Sequence, residues 1–282
     1  ISENSRPLNL PSFTALSPIK GFDFSRLLTD TNSHSPSLNP PETSDERAKR
    51  REARRKMLAF TRYVWPGFSV NWHHEVIADY LDLWVNGEIQ NLMIFTPAQH
   101  GKSELVSRKL PAFVLGKNPD AKVVAASYAA ELIQGMNRDV QRTMEQEEYK
   151  RLFPETRLNE KNIRTVTGSF LRNNDIFEVV GRRGSYRCAG IGGGLSGFPC
   201  DFGIIDDPFK DYAEASSARI RESVWEWYTS VFLRRCHSKS RQLITQTRWH
   251  PDDLCGRLLE RERGAWTVLK LPGICEETSP PF

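Results

Sequence analysis

Long hydrophobic runs are missing from this 282-residue chain. No stretch approaches the roughly 18–20 consecutive apolar residues that a membrane-crossing helix requires, which excludes such a span. Cysteine is scarce: Cys188, Cys200, Cys236, Cys255 and Cys275 are scattered, odd in number, and show no Cys-x-x-Cys spacing. A disulfide framework and a structural zinc site are therefore not expected, and a reducing compartment fits better. The six histidines show no metal-ligand spacing either. No strong charge imbalance exists, since 39 Lys and Arg against 35 Asp and Glu leave a net charge of +4. Global charge alone thus gives no argument for a nucleic-acid partner. No apolar leader opens the chain; its first residues are polar and rich in Ser and Pro, unlike a secretory signal, and a first residue Ile1 suits a fragment. What is present, 39% apolar and 26% charged residues, suits one large folded domain or two small ones.

Composition divides the chain. Residues 1–45 are rich in Ser, Pro, Asn and Thr, with Ser35-Pro36 and Pro40-Pro41 as breakers. They bury too little apolar surface to offset ordering entropy, so a mostly disordered tail is expected. Phe22, Phe24, Leu27 and Leu28 interrupt it, either as a docking segment or as a sticky piece of tail. Seven Lys and Arg lie between Arg47 and Lys56 among strong helix formers. Residues 46–67 therefore read as a basic helical lead-in, open to two uses: DNA phosphate contact or simple solvation. The packed domain is expected to begin near residue 57. Short apolar runs at Leu92–Phe95, Val123–Ala126, Phe202–Ile205 and Gln242–Gln246 read as buried strands. A helix from Lys102, ended or kinked by Pro111, and helical composition at 128–147, 214–236 and 252–263 alternate with them. Residues 164–180 alternate as a hairpin turning at Asn173-Asn174. The pattern predicts an α/β fold with a mainly parallel central sheet flanked by helices on both faces.

The segment Thr96-Pro97-Ala98-Gln99-His100-Gly101-Lys102-Ser103 follows an apolar strand and precedes a helix. It matches the phosphate-loop pattern GxxxxGK[ST] except that Thr96 replaces the first Gly. Backbone N–H groups at such a helix start face phosphate oxygens. Gly101 permits close approach, Lys102 brings a point charge to the β- and γ-phosphates, and the Ser103 hydroxyl is a ligand for Mg²⁺.

Asp206 and Asp207 end the Phe202–Ile205 strand. In P-loop ATPases a strand-end carboxylate orients Mg²⁺ and a neighbouring one polarises the attacking water. Asp206 takes the first role and Asp207 the second, although Glu is commoner there and Asp is a methylene shorter. Lys102 and Asp206 are 104 residues apart, which leaves room for an extra strand between the two motifs, as in the motor-type branch. The strand Gln242–Gln246 runs into Thr247, a candidate γ-phosphate sensor whose position Arg248 transmits. In the glycine-rich run 181–197, Arg182, Arg183 and Arg187 read either as a finger for a neighbouring subunit's ATP, as DNA phosphate contacts, or as solvated loop residues. Trp72, His73 and His74 read as adenine contacts or as packing. Trp225, Trp227, Tyr228 and Phe232 read as core.

Taken in order, these elements resemble the large terminase subunit of tailed bacteriophages over roughly residues 68–276. The resemblance rests on Trp72-His73-His74, Gly87-Glu88-Ile89, Pro97 to Glu104, Gly192 to Gly197 and Ile205 to Lys210. It continues through Glu214-Ala215-Ser216, Trp225 to Tyr228, Thr247 to Leu254 and Leu271 to Ile274. It implies a P-loop NTPase of the ASCE/RecA-like type that uses ATP and Mg²⁺ to move double-stranded DNA into a procapsid. Nucleotide contacts fall on Thr96, Pro97, Ala98, Gln99, His100, Gly101, Lys102, Ser103 and Glu104, with Trp72 and His73. Metal contacts fall on Ser103 and Asp206, and catalytic roles on Lys102, Asp207, Thr247 and Arg187. It implies a homo-oligomeric ring with portal protein and small terminase subunit as partners, no membrane, and a place in the host cytoplasm and transiently at the portal vertex. Gln99 stands where the family often has Arg. Residues 277–282 would start the linker to a C-terminal nuclease domain, so DNA cleavage by this polypeptide is not expected. Two rival readings are a helicase or remodelling motor, and a nucleotide-binding scaffold with little turnover.

Overall fold

The computed structural model describes residues 43–158 and 171–273. The expected tail up to residue 42, the first part of the hairpin and the expected linker lie outside the described residues. Seven strands form one sheet: β1 (Asn91–Phe95), β2 (Lys122–Ser127), β3 (Ile176–Glu178), β4 (Ser185–Gly190), β5 (Cys200–Asp206), β6 (Cys236–Gln246) and β7 (Thr267–Lys270). Their order is β3-β4-β2-β5-β6-β1-β7. Every pairing is parallel except β3 with β4. The sheet is therefore the mainly parallel one that the apolar runs predict.

Alternation along the strands explains the layers. Leu92 and Ile94 of β1 point into one apolar cluster, and Met93 and Phe95 into another. The first cluster is closed by α1 (Ser44–Ala53), α2 (Met57–Val64), α3 (Trp72–Asn86), α4 (Leu110–Lys117), α5 (Ala130–Glu145) and α6 (Glu147–Leu152). The second is closed by α7 (Tyr212–Ser216), α8 (Ala218–Trp227) and α9 (Leu254–Arg261). Trp84 anchors α3 to the sheet: its ring is fully buried against Phe202, and its indole N–H donates to the Gln242 carbonyl at 3.0 Å. Burying a side chain of this size stabilises by roughly 2–3 kcal/mol.

The basic lead-in is helical. Thr43 and Glu46 cap α1 reciprocally, and Arg54 donates to the Leu152 carbonyl at 2.7 Å. Met57, Phe60 and Val64 of α2 share the core with the sheet, and so does Ala53 of α1, which places packing slightly upstream of residue 57.

Three expectations need correction. Pro111 does not end the helix after the phosphate loop. It sits in the first turn of α4, and the chain just before it widens into a π-helical turn, Glu104–Lys109. A proline ring crowds the carbonyl four residues back, and a wider turn relieves that crowding. The 214–236 segment is not one helix. Ser217 closes α7 and caps α8, and α8 then passes through π and 3₁₀ turns to Arg235. The glycine-rich run is not all loop, because Ser185–Gly190 is the strand β4, buried between β2 and β3. The room for an extra strand between the two motifs is used: β2, β3 and β4 lie between them in the chain, and β6 stands between their strands in the sheet. The turn at Asn173-Asn174 is present: Asn173 Oδ1 accepts from the Asp175 and Ile176 amides. Among the described residues no helix is long and apolar enough to cross a membrane.

Candidate functional site: a lysine and two carboxylates at the sheet's carboxyl edge

Strand register brings distant residues together. Ser127, Asp206 and Thr245 are cross-strand partners on β2, β5 and β6, and Thr245 lies opposite Ile94 of β1. The chain beyond these positions therefore emerges at one edge, where crevices of parallel sheets receive ligands. The segment Thr96–Ser103 leaves β1 there, Asp207 leaves β5, and Thr247 leaves β6.

Lys102 is almost fully buried, and its ammonium donates to Asp207 Oδ2 at 2.7 Å. Asp207 Oδ1 accepts from the Thr247 amide at 3.1 Å. The Thr247 hydroxyl reaches the Thr96 carbonyl at 3.3 Å. One short chain of contacts thus joins all three strand ends. Asp207 adopts a φ of 44°, a left-handed conformation that Asp and Asn tolerate better than longer side chains. That gives a local reason for Asp at this position in place of Glu.

Asp206 faces the opposite side of its strand from Ile205 and meets the π-helical turn. Ser107 donates to Asp206 Oδ2 at 2.6 Å. Asp206 is 1% exposed, and its other oxygen has no protein partner. Burial, reinforced by the charge of Asp207, pushes its carboxyl up to about 6; the Ser107 and Ser103 hydroxyls and Lys102 oppose the rise. The sign for stability follows. Between its ordinary value of 3.8 and about 6 the native chain holds a proton that the unfolded chain has released. Stability of the nucleotide-free protein therefore falls as pH rises through that interval. Asp206→Asn removes this contribution, so its urea midpoint exceeds that of the wild type more at about pH 7 than at about pH 4. Equal differences at both pH values would contradict the account.

Gln99 and Gly101 carry positive φ values of 62° and 72°, which curl the loop. A Cβ on Gly101 would stand 2.5 Å from His74 Nε2, so glycine is required there. His100 folds back, its Nδ1 2.8 Å from the Ala98 carbonyl. Glu104 pairs with Arg108 at 3.1 Å. His73 packs against His74 and His100 with ring centroids 4.0 and 5.6 Å away, and Trp72, about half exposed, stands edge-on to it. Burial, then the neighbouring His100 charge, lowers the His73 imidazole. Arg248 is held by buried Asp253 at 2.7 Å and lies over the Phe95 ring.

Arg187 is not brought to the carboxylates within one chain. It is three residues before Gly190, the register partner of Ser127, and two strands from β5. That puts its backbone roughly 10 Å below the strand ends and about 10 Å aside. Its guanidinium covers the Phe198 ring at 4.9 Å. Arg182 pairs with Glu155, and Arg183 precedes the start of β4 at the far edge of the sheet. One contributor, Ser107, escaped the sequence reading. Ser107 gives no signal beyond a hydroxyl four residues after Ser103, and its reach depends on the π turn. His74 is one member of a histidine pair whose orientation only α3 decides.

A family model described as terminase large subunit, T4likevirus-type, N-terminal, matches residues 93–280. The chain belongs to that family. No curated protein matches it. Among solved structures, a DEAD box protein from the hyperthermophile Methanococcus jannaschii is similar at a TM-score of 0.39 and 11% identity, over 70% of this chain and 49% of that one. That likeness is too distant to add to what the strand order shows. In this terminase domain β6 stands between β1, which leads into the Thr96–Ser103 loop, and β5, which leads into the acidic pair.

Proposed function

We propose that this terminase domain binds ATP with Mg²⁺ and hydrolyses it to drive double-stranded DNA into a procapsid. The observation that carries the reading is the meeting of Lys102, Asp206 and Asp207 at the sheet's carboxyl edge beside the Thr96–Ser103 loop. Lys102 leaves Asp207 for the β- and γ-phosphates when nucleotide enters. Asp207, freed of the ammonium, takes the proton of the attacking water, and Thr247 reports on both loops through its two contacts. The donors suit Mg²⁺, which prefers hard oxygens: Asp206 offers an unpartnered buried oxygen and Ser103 a hydroxyl. The ion, when bound, neutralises charge on the phosphoryl oxygens. Trp72 and His73 border the loop where adenine would stack. Arg187 serves, if at all, a neighbouring subunit's nucleotide across a ring.

The same reading makes portal protein, small terminase subunit and other copies of the chain the working partners, in the host cytoplasm and transiently at the portal vertex. DNA contacts are to phosphates, because packaging must tolerate any sequence. The test is ATP turnover by the wild-type chain with portal and double-stranded DNA. Turnover above background, rising with DNA, is expected. Background rates with every component present would defeat the proposal.

A further inference from the structure

The residue that closes the phosphate loop against the rest of the domain is His74, read from the sequence only as an adenine contact or as packing. It occupies the third position of α3, where a capping box normally carries Glu or Gln. Its Nδ1 accepts from the Asn71 amide at 3.0 Å, completing the cap. An imidazole that accepts at Nδ1 carries its proton at Nε2. That edge is turned into the loop: a Cβ on Gly101 would lie 2.5 Å from Nε2. The ring is 8% exposed and is wedged between Phe68 and His73, with centroids 4.9 and 4.0 Å away. It has no freedom to swing out. Gly101, with its φ of 72°, is the residue whose backbone must approach the phosphates.

We infer that His74 is a positioning residue, a bolt that ties the N-terminus of α3 to the His100–Gly101 turn and holds the phosphate loop in its anion-binding shape before nucleotide arrives. The inference rests on the nucleotide reading of that loop for its purpose, though not for its geometry. A helix cap alone would need only the Nδ1 acceptor. The bolt needs both ring nitrogens, one on each element. Asn keeps an acceptor at the Nδ1 position and loses the reach to the loop. Gln keeps an oxygen and a nitrogen at a comparable separation and length. The two substitutions therefore divide the functions.

The experiment measures amide hydrogen exchange in the nucleotide-free chain, together with thermal unfolding and Mg·ATP affinity, for wild type, His74→Asn and His74→Gln. In His74→Asn, exchange at residues 99–103 accelerates by about tenfold or more while the unfolding midpoint stays within a few degrees of wild type. Mg·ATP binding weakens by about tenfold in the same variant, and His74→Gln recovers most of both effects. Wild-type exchange in the loop of His74→Asn overturns the inference. So does acceleration spread over the whole domain with a large drop in midpoint, which marks a cap and nothing more. Faster loop exchange in a chain whose wild type binds no ATP upholds the bolt and refutes the nucleotide reading, so the two failures are separable.

Discussion

Lys102→Ala abolishes nucleotide handling while leaving the fold standing. Among the described residues, Lys102 is the one cation paired with the acidic residues at the strand ends, at 2.7 Å from Asp207. On the proposed function its loss removes the charge that would neutralise the transferred phosphoryl group, and turnover falls by about 10²–10³-fold, the cost of deleting a preorganised electrostatic contact. Mg·ATP affinity falls with it, because the same ammonium holds the ground-state phosphates. The stability effect is smaller. Asp207 is partly exposed and keeps the Thr247 amide, so the carboxylate left behind stays hydrated and hydrogen-bonded. Lys102→Arg does not restore activity, since a planar guanidinium replaces a compact ammonium in a buried slot. Steady-state hydrolysis, equilibrium ATP binding and thermal unfolding of the variants check all three statements. Wild-type turnover in Lys102→Ala would end the enzymatic account.

Asp207→Asn separates binding from chemistry. Asn tolerates the 44° φ and still accepts from the Thr247 amide, so the loop geometry survives. What disappears is the base and the counter-charge of Lys102. Turnover falls by about 10²–10⁴-fold, the usual contribution of a positioned general base. Mg·ATP affinity holds or rises, because Lys102 no longer has to be pulled from a carboxylate before it meets phosphate. Lys102→Ala thus loses affinity and turnover together, and Asp207→Asn loses turnover alone. Asp207→Glu does not rescue, because a longer side chain is strained at a positive φ and overshoots Lys102. Equal loss of affinity in both variants would show that Asp207 acts on the fold and has no part in the chemistry.

The sequence made the α/β core readable because its signals are local. Leu92–Phe95, Val123–Ala126 and Phe202–Ile205 are continuous apolar runs, as buried parallel strands must be, and the structure places strands at all three. Lys102, Asp206 and Asp207 each follow such a run, and Thr247 follows the strand Gln242–Gln246, so their shared edge follows from parallel pairing alone. The misreadings have physical sources. β4 is flanked by glycines and carries Arg187, and only burial between β2 and β3 makes it a strand. β7, four residues at the sheet's edge with Val268 well exposed, went unread because it has too little apolar surface to stand out. Trp225 to Phe232 kept helical spacing although the backbone there widens and then tightens; Trp227, Tyr228 and Phe232 are core as expected, and Trp225 is partly buried beneath Arg261. Within the site, residue types were legible and their partners were not. The Lys102–Asp207 ion pair, the Ser107 bond to Asp206 and the His74 contact all depend on where a turn or a helix end comes to rest.

The central claim is that the loop after β1 and the carboxylates after β5 enclose one triphosphate. Backbone hydrogen exchange of the wild-type chain, with and without Mg·ATP, tests it most directly. The account predicts slowed exchange at residues 98–104 and at residues 207 and 247, with little change along β4 and at the α1 surface. Protection confined to other elements, or none at a concentration that saturates binding, would contradict it.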